Sequence, residues 1–147
     1  MALVGAALVT WTILGSASAQ MSSNPAEITA CLCQQQAIAT FSADMSAKTQ
    51  ALAMARQRVA DLDAQLLDAR RHIDVNNAQS EQQYKELLAA RDHAYQASIG
   101  AVVGAADQAT ARYNAHVNQY NTQCASRVFN ADLMAQLQQH LVCPPLE

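Results

Sequence analysis

Cys31 and Cys33 stand one residue apart in AEITACLCQQQAI, residues 26–38, while the other two cysteines, Cys124 and Cys143, lie far down the chain. A Cys-x-Cys pair supports three kinds of chemistry. Its thiolates bind soft metals such as copper(I) or zinc, exchange electrons as a dithiol, or close structural bridges. For a metal, Cys31 and Cys33 make only half of a tetrahedral site. Met45, Met54 and His140 are available to complete it, but no His or further Cys follows at a close spacing on the same helical face. The Cys-x-x-Cys spacing of thiol oxidoreductases is absent. In a small chain bound for an oxidising compartment, four cysteines point to two disulfides.

Other reactive side chains do not converge. His72, His93, His116 and His140 are scattered, and no Gly-x-Ser-x-Gly elbow or glycine-rich phosphate loop occurs. His140 and Cys143 have ligand spacing, but Cys143 is better used in a disulfide. Asp61, Asp63 and Asp68 alternate with Arg56, Arg58, Arg70 and Arg71, giving Arg58–Asp61 and Asp68–Arg71 at a spacing of three. Glu81 precedes Lys85 by four, the favourable orientation on a helix. These are solvated helix faces, so neither an enzyme nor a cofactor is expected. With a formal net charge of −3 and no Lys/Arg run, the chain lacks the electrostatic footprint for nucleic acid or anionic lipid.

The elements that position the cysteines are helices. Between Pro25 and Pro144 there is no proline, and the only glycines are Gly100 and Gly104. Ala, Gln, Leu, Arg and Glu fill the stretch. Asn24-Pro25 with Glu27 signals a helix start, Glu27 sitting where a capping-box acid reaches back. Apolar residues then recur at sevens: Cys31, Ile38, Met45, Leu52, Val59, Leu66 and Ile73. A second row, offset by three, contains Phe41, Ala55, Leu62 and Ala69, interrupted by Gln34 and Lys48. This is a coiled-coil-type seam, and it predicts a first helix over about 25–74, roughly 75 Å long.

Residues 75–79 form the corner, where Asn76-Asn77 tolerates left-handed backbone and Ser80 with Gln83 caps the next helix. The second helix is expected over about 80–124. Its apolar face begins as Tyr84, Leu88 and Tyr95, and shifts phase near Ser98–Val103. It continues as Ile99, Ala106, Tyr113 and Tyr120 beside Val103, Val117 and Cys124, a stutter. A third, short helix over about 131–142 follows, capped by Asn130. The fold class is therefore all-α: a long antiparallel helical hairpin, coiled-coil-like, with a short C-terminal helix, stapled by disulfides at its open end.

Residues facing each other across such a hairpin lie equally far from its corner. With the corner between Asn77 and Ala78, Cys31 faces Cys124. Cys33 points away from that seam, about 200° around the helix, and Cys143 follows the third helix. The favoured pairing is Cys31–Cys124 with Cys33–Cys143; one residue of slippage at the corner permits the swapped pairing.

Two surface features remain. Gly100-x-x-x-Gly104, with Ala101 and Val103, either lets Phe41, Met45 and Leu52 or a third helix approach the backbone, or forms a self-association face. Charge is also uneven: 13 of the 21 Asp, Glu, Lys and Arg residues fall between Arg56 and Asp92. The tip of the hairpin is thus solvated, and the disulfide-tied base is the place for a partner or the third helix.

At 147 residues the chain is one domain after a processed segment. ALVGAALVTWTILG is apolar and uncharged, and Ala17 and Ala19 occupy the small-residue positions of a signal-peptidase site. Residues 1–19 therefore read as a cleaved signal peptide, and 20–147 as the hairpin domain. A run of about a dozen apolar residues falls short of the ~20 needed to span a bilayer. The expected function is that of an exported, periplasmic or secreted, non-enzymatic structural or adaptor protein. It would act through protein–protein contacts in the bacterial cell envelope, as a homo-oligomer or with another envelope protein. Two alternatives are a metal- or redox-responsive hairpin using Cys31 and Cys33, and a membrane-tethered coiled coil that retains its N-terminus. N-terminal sequencing of protein from cells checks the processing: the expected first residue is Gln20, and a retained Trp11 selects the tethered form.

Overall fold

The computed structural model describes residues 21–146. The expected signal peptide, its cleavage site before Gln20 and Trp11 lie outside these residues. Helices dominate and fall in three runs: α1 (Pro25–His72), a second run divided into α2 (Ala78–Ile99) and α3 (Ala101–Gln123), and the short α4 (Ala131–Gln139). Two two-residue strands, β1 (Met21–Ser22) and β2 (Val128–Phe129), pair in parallel. The all-α expectation omitted this pair because two residues carry no readable periodicity. Among the described residues no helix is long and apolar enough to cross a membrane.

Local chemistry sets the helix ends. Asn24 caps α1, its Oδ1 accepting from the Ala26 N–H at 3.0 Å, with Pro25 opening the helix. Glu27 does not close a capping box. Its carboxylate instead accepts from Ser22 Oγ at 3.0 Å and pairs with Arg127 at 2.7 Å, tying α1 to the β1–β2 corner. At the main corner, α1 stops at His72 rather than 74. The cap of α2 is Asn77, whose Oδ1 accepts from Gln79 and Ser80 N–H; Ser80 Oγ accepts from the Asp74 N–H. The turn therefore lies at 73–77, two residues earlier than expected, because the Asx cap outcompetes the serine. Left-handed backbone, allowed for Asn76-Asn77, is not used among the described residues.

The seam on α1 is as periodic in burial as in sequence. Phe41 and Leu62 are buried, the other residues of both rows are buried or half-buried, and Lys48 alone is exposed. On α2 the inner row is Ser80, Tyr84, Leu87, Arg91, Ala94 and Ser98. Leu88, Tyr95 and Ile99, expected on the inner face, are 39%, 41% and 51% exposed. Tyr84 lies on the inner row as expected, but from Leu88 onward hydrophobicity alone selected residues displaced by one from the true row. On α3, Ala106 and Ala109 are buried, as is Cys124 at its C-cap, and Val103, Tyr113, Val117 and Tyr120 are half-buried.

The expected phase shift takes the form of a break. The inner residues Ser98, Val102 and Ala106 follow one another at fours, and the helix divides at Gly100, which keeps its N–H bond to Gln96 O at 3.1 Å. The last helix ends at Gln139 instead of 142, because the chain must leave it to bring Cys143 to Cys33.

Contacts between α1 and the second run are ordered. Asp63 holds Arg91 at 2.9 Å, Asp44 holds Arg112 at 2.9 Å, and Gln35 donates to Tyr120 at 2.8 Å. The further one partner lies from the 73–77 corner, the further the other lies beyond it. The i,i+3 pairs Arg58–Asp61 and Asp68–Arg71 do not form; Asp61 accepts from Gln57 and Asp68 lies beside His72. Glu81–Lys85 does form, at 2.7 Å, and its hydrogen bond and charge hold the Glu81 carboxyl below its ordinary range.

The two glycines separate two roles. A Cβ at Gly100 would meet the Gln96 carbonyl oxygen at 3.1 Å, whereas at Gly104 it would meet nothing within 4 Å. Gly104→Ala should raise stability by about 0.5–1 kcal/mol through helix propensity and the unfolded state. Gly100→Ala should lower it by about 1 kcal/mol, since a backbone oxygen cannot step aside. Denaturant unfolding of the two variants measures both signs.

Candidate interaction surface

The cysteines meet at the end of α1 remote from the corner. Cys31 is bonded to Cys124 (S–S 1.97 Å, Cα–Cα 5.8 Å), and Cys33 to Cys143 (S–S 2.03 Å, Cα–Cα 5.4 Å). Cys31 and Cys124 are buried, while Cys33 and Cys143 are half-buried. Two residues of helix rotate the side chain by about 200°, so one bridge fixes α3 and the other fixes the tail that follows α4. All four sulfurs are thereby engaged, and no free thiol remains. Among the described residues no three His, Cys, Asp or Glu side chains gather as metal ligands.

Burial concentrates at this stapled end. Ile28, Leu32, Ala37 and Phe41 of α1 are buried there, with Ala106 and Ala109 of α3. The His116 ring stacks on Phe41, with centroids 4.3 Å apart and an interplanar angle of 13°. Sequence spacing shows His116 only as one of four scattered histidines; counting outward from the corner sets it close to Phe41 on the α1 seam, the signal that would have revealed the stack. His72 has its Nδ1 3.0 Å from the Asp68 carbonyl oxygen, and His93 and His140 are exposed. The four histidines do not converge. A groove of about 780 Å³ runs between the first turns of α1, the tail and α3. Alanines, prolines, Val142 and Leu146 line it beside the polar Thr29, Gln34, His116 and Gln119, with the Cys33–Cys143 bridge in its wall. No Asp, Glu, Lys or Arg lines it.

The small-residue stretch does not serve close helix approach at Gly104, where there is open space. Gly100, Ala101 and Gly104 are exposed and Val103 is half-buried. Close by, a shallow pocket of about 490 Å³ is lined by Arg56, Val59, Tyr95, Ser98, Ile99 and Val103. The Arg91 guanidinium lies 5.0 Å above the Tyr95 ring while its Nε binds Asp63. That hydrogen bond, against partial desolvation, raises the Arg91 pKa above its ordinary value. The guanidinium, charged as any arginine is, is oriented by Asp63 and lies over the face of the exposed Tyr95 ring.

No protein family, curated protein or solved structure matches the chain.

The bridges are nested, which gives their loss a signature. With Cys31–Cys124 closed, Cys33–Cys143 closes an effective loop of only about 20 residues, contributing about 3 kcal/mol in the chain-entropy treatment. Alone, either bridge closes 93 or 110 residues and contributes about 4–5 kcal/mol. Removing one pair (Cys31→Ser with Cys124→Ser, or Cys33→Ser with Cys143→Ser) should cost about 3 kcal/mol. Removing both should cost about 8 kcal/mol, more than twice as much. Urea titration of the three variants checks this excess.

Proposed function

We propose that the chain is an exported, non-enzymatic structural or adaptor protein of the bacterial cell envelope. It is built as a long antiparallel helical hairpin and works through protein–protein contacts. The ordered pairing of α1 with α2 and α3 supports the hairpin: Asp63–Arg91, Asp44–Arg112, Cys31–Cys124 and Glu27–Arg127 lie at rising distances from one corner. Two disulfides suit a non-cytoplasmic, oxidising compartment.

One observation carries the contact function: large apolar side chains lie outside the inner seam along the half of the hairpin nearest its corner. Leu67 is 56% exposed and Ile99 51%, with Leu88 and Tyr95 beside them. In that half only Leu62 and Ser98 are buried. Apolar residues that recur on one flank of a helix pair, and that its own core does not use, mark a surface made to be covered.

A photo-crosslinking amino acid placed at Ile99 should give defined higher-mass adducts in intact cells, and one at the outward-facing Gln36 should not. Protein from the same envelope fraction should titrate with no free thiol and carry no stoichiometric metal. Reactive thiols with bound copper or zinc would instead select the metal-responsive reading.

A further inference from the structure

The exposed flank carries charges and apolar groups in a self-complementary order. The observations tie one flank together across both helices: Arg56 and Val59 share a pocket with Tyr95, Ile99 and Val103, and Arg91 joins Asp63 to Tyr95. The Asp92 side chain is 75% exposed, and its one cation among the described residues, Arg91 at 3.6 Å, is already bound to Asp63 at 2.9 Å. Arg56 heads no ion pair among the described residues. The flank thus presents an available cation at Arg56 and an available anion at Asp92.

In the hairpin these charges occupy definite levels. Asp92 lies level with Asp63, and Arg56 lies seven residues away on α1, about 10 Å. The midpoint between the two levels is Val59–Ala60, which faces Tyr95. A two-fold axis lying in the interface across the helices at the level of Tyr95 therefore brings each Arg56 to the level of the other copy's Asp63–Arg91–Asp92 cluster, whose net charge is negative. The same axis carries the exposed Leu67–Leu88 level, about 11 Å towards the corner, onto the level of Val103. Opposite charges and apolar groups coincide under one operation, which is the requirement of an isologous interface.

We propose that this flank binds a second copy of the chain, two-fold related about Tyr95. The proposal rests on the hairpin reading above and names the partner of that surface. The patch measures roughly 20 Å along the helices by ~20 Å across, or ~400 Å² in projection, in the range of the largest patches on monomers, which are often functional. It is nevertheless about half of the ~800 Å² that each partner gives to a standard interface. The dimer is accordingly weak, with a dissociation constant of about 1–100 µM, and sensitive to salt.

Sedimentation of the oxidised chain across a concentration series tests it. Reversible dimerisation is expected, weakened at least tenfold by Tyr95→Arg and by Arg56→Glu. It should be restored when Arg56→Glu is combined with Asp92→Arg, and left unchanged by Met54→Arg, an exposed site off this flank. Circular dichroism confirms that each variant is helical. A monomer at every concentration overturns the proposal, as does dimerisation indifferent to Tyr95→Arg or a double variant that stays as weak as Arg56→Glu. A spin-label distance between Arg70→Cys and Lys85→Cys in dilute protein separates the two levels of inference. A short distance with no association removes the dimer alone, whereas a long one removes the hairpin beneath it.

Discussion

The covalent anchoring of one short stretch of α1 in two directions governs the rest of the molecule. Cys31 and Cys33 project from nearly opposite sides of the same helix, and each holds a different downstream segment. Helix pairs with a single apolar stripe are marginal, because each residue ordered costs about 1–2 kcal/mol of backbone entropy and only part of each turn is buried. The two bridges, closing 93 and 110 residues, together contribute about 8 kcal/mol by constraining the unfolded chain. That is a small part of the cost but comparable with the whole net stability of a small domain. The stapled end can then keep a sparsely charged Ala/Gln-rich surface that would not hold two long helices together alone.

Away from the bridges, polar contacts set register more than stability. In three cross-contacts an α1 acid meets a later arginine: Glu27–Arg127, Asp44–Arg112 and Asp63–Arg91. Mostly exposed pairs of this type contribute little energy each. Spaced along the helix as they are, they disfavour a slip of one residue, which would misplace every one at once. The bridges allow no slip at their own end, so the ion pairs matter most towards the corner, where apolar burial thins to Leu62.

Much of this was legible in the residues. The heptad rows of α1 coincide with its half-buried positions because a strict repeat of seven leaves one face for a partner. The corner residues were legible as Asn-rich, and counting outward from them leads to Cys31–Cys124. The rotation of Cys33 off that seam leaves it to Cys143, as the bonds have it. Three things were not legible. The Asn77 cap displaced the turn by two residues, since Asn and Ser compete for the same backbone groups. The long-range acid–arginine pairs were hidden by nearer partners at helical spacing. The third concerns α2, where the inner row includes Arg91 and Ser98 while Leu88 and Tyr95 stand outside.

That last mismatch is a physical statement about selection on α2. Towards the corner, where α1 faces only α2, the heptad rows of α1 and its buried or half-buried positions coincide. On α2 the two rows are offset by one residue, about 100° of rotation. Arg91 tolerates the inner position because Asp63 neutralises it and its guanidinium lies over Tyr95, leaving the aliphatic stem to fill the seam. The apolar groups so displaced are not scattered: Leu88, Tyr95 and Ile99 follow each other at seven and four. Tyr84 and Leu87 fill the inner row beside Arg91 and Ser98, whereas Leu88 and Tyr95 stand outside it, and on that second apolar row the proposal of a further neighbour rests.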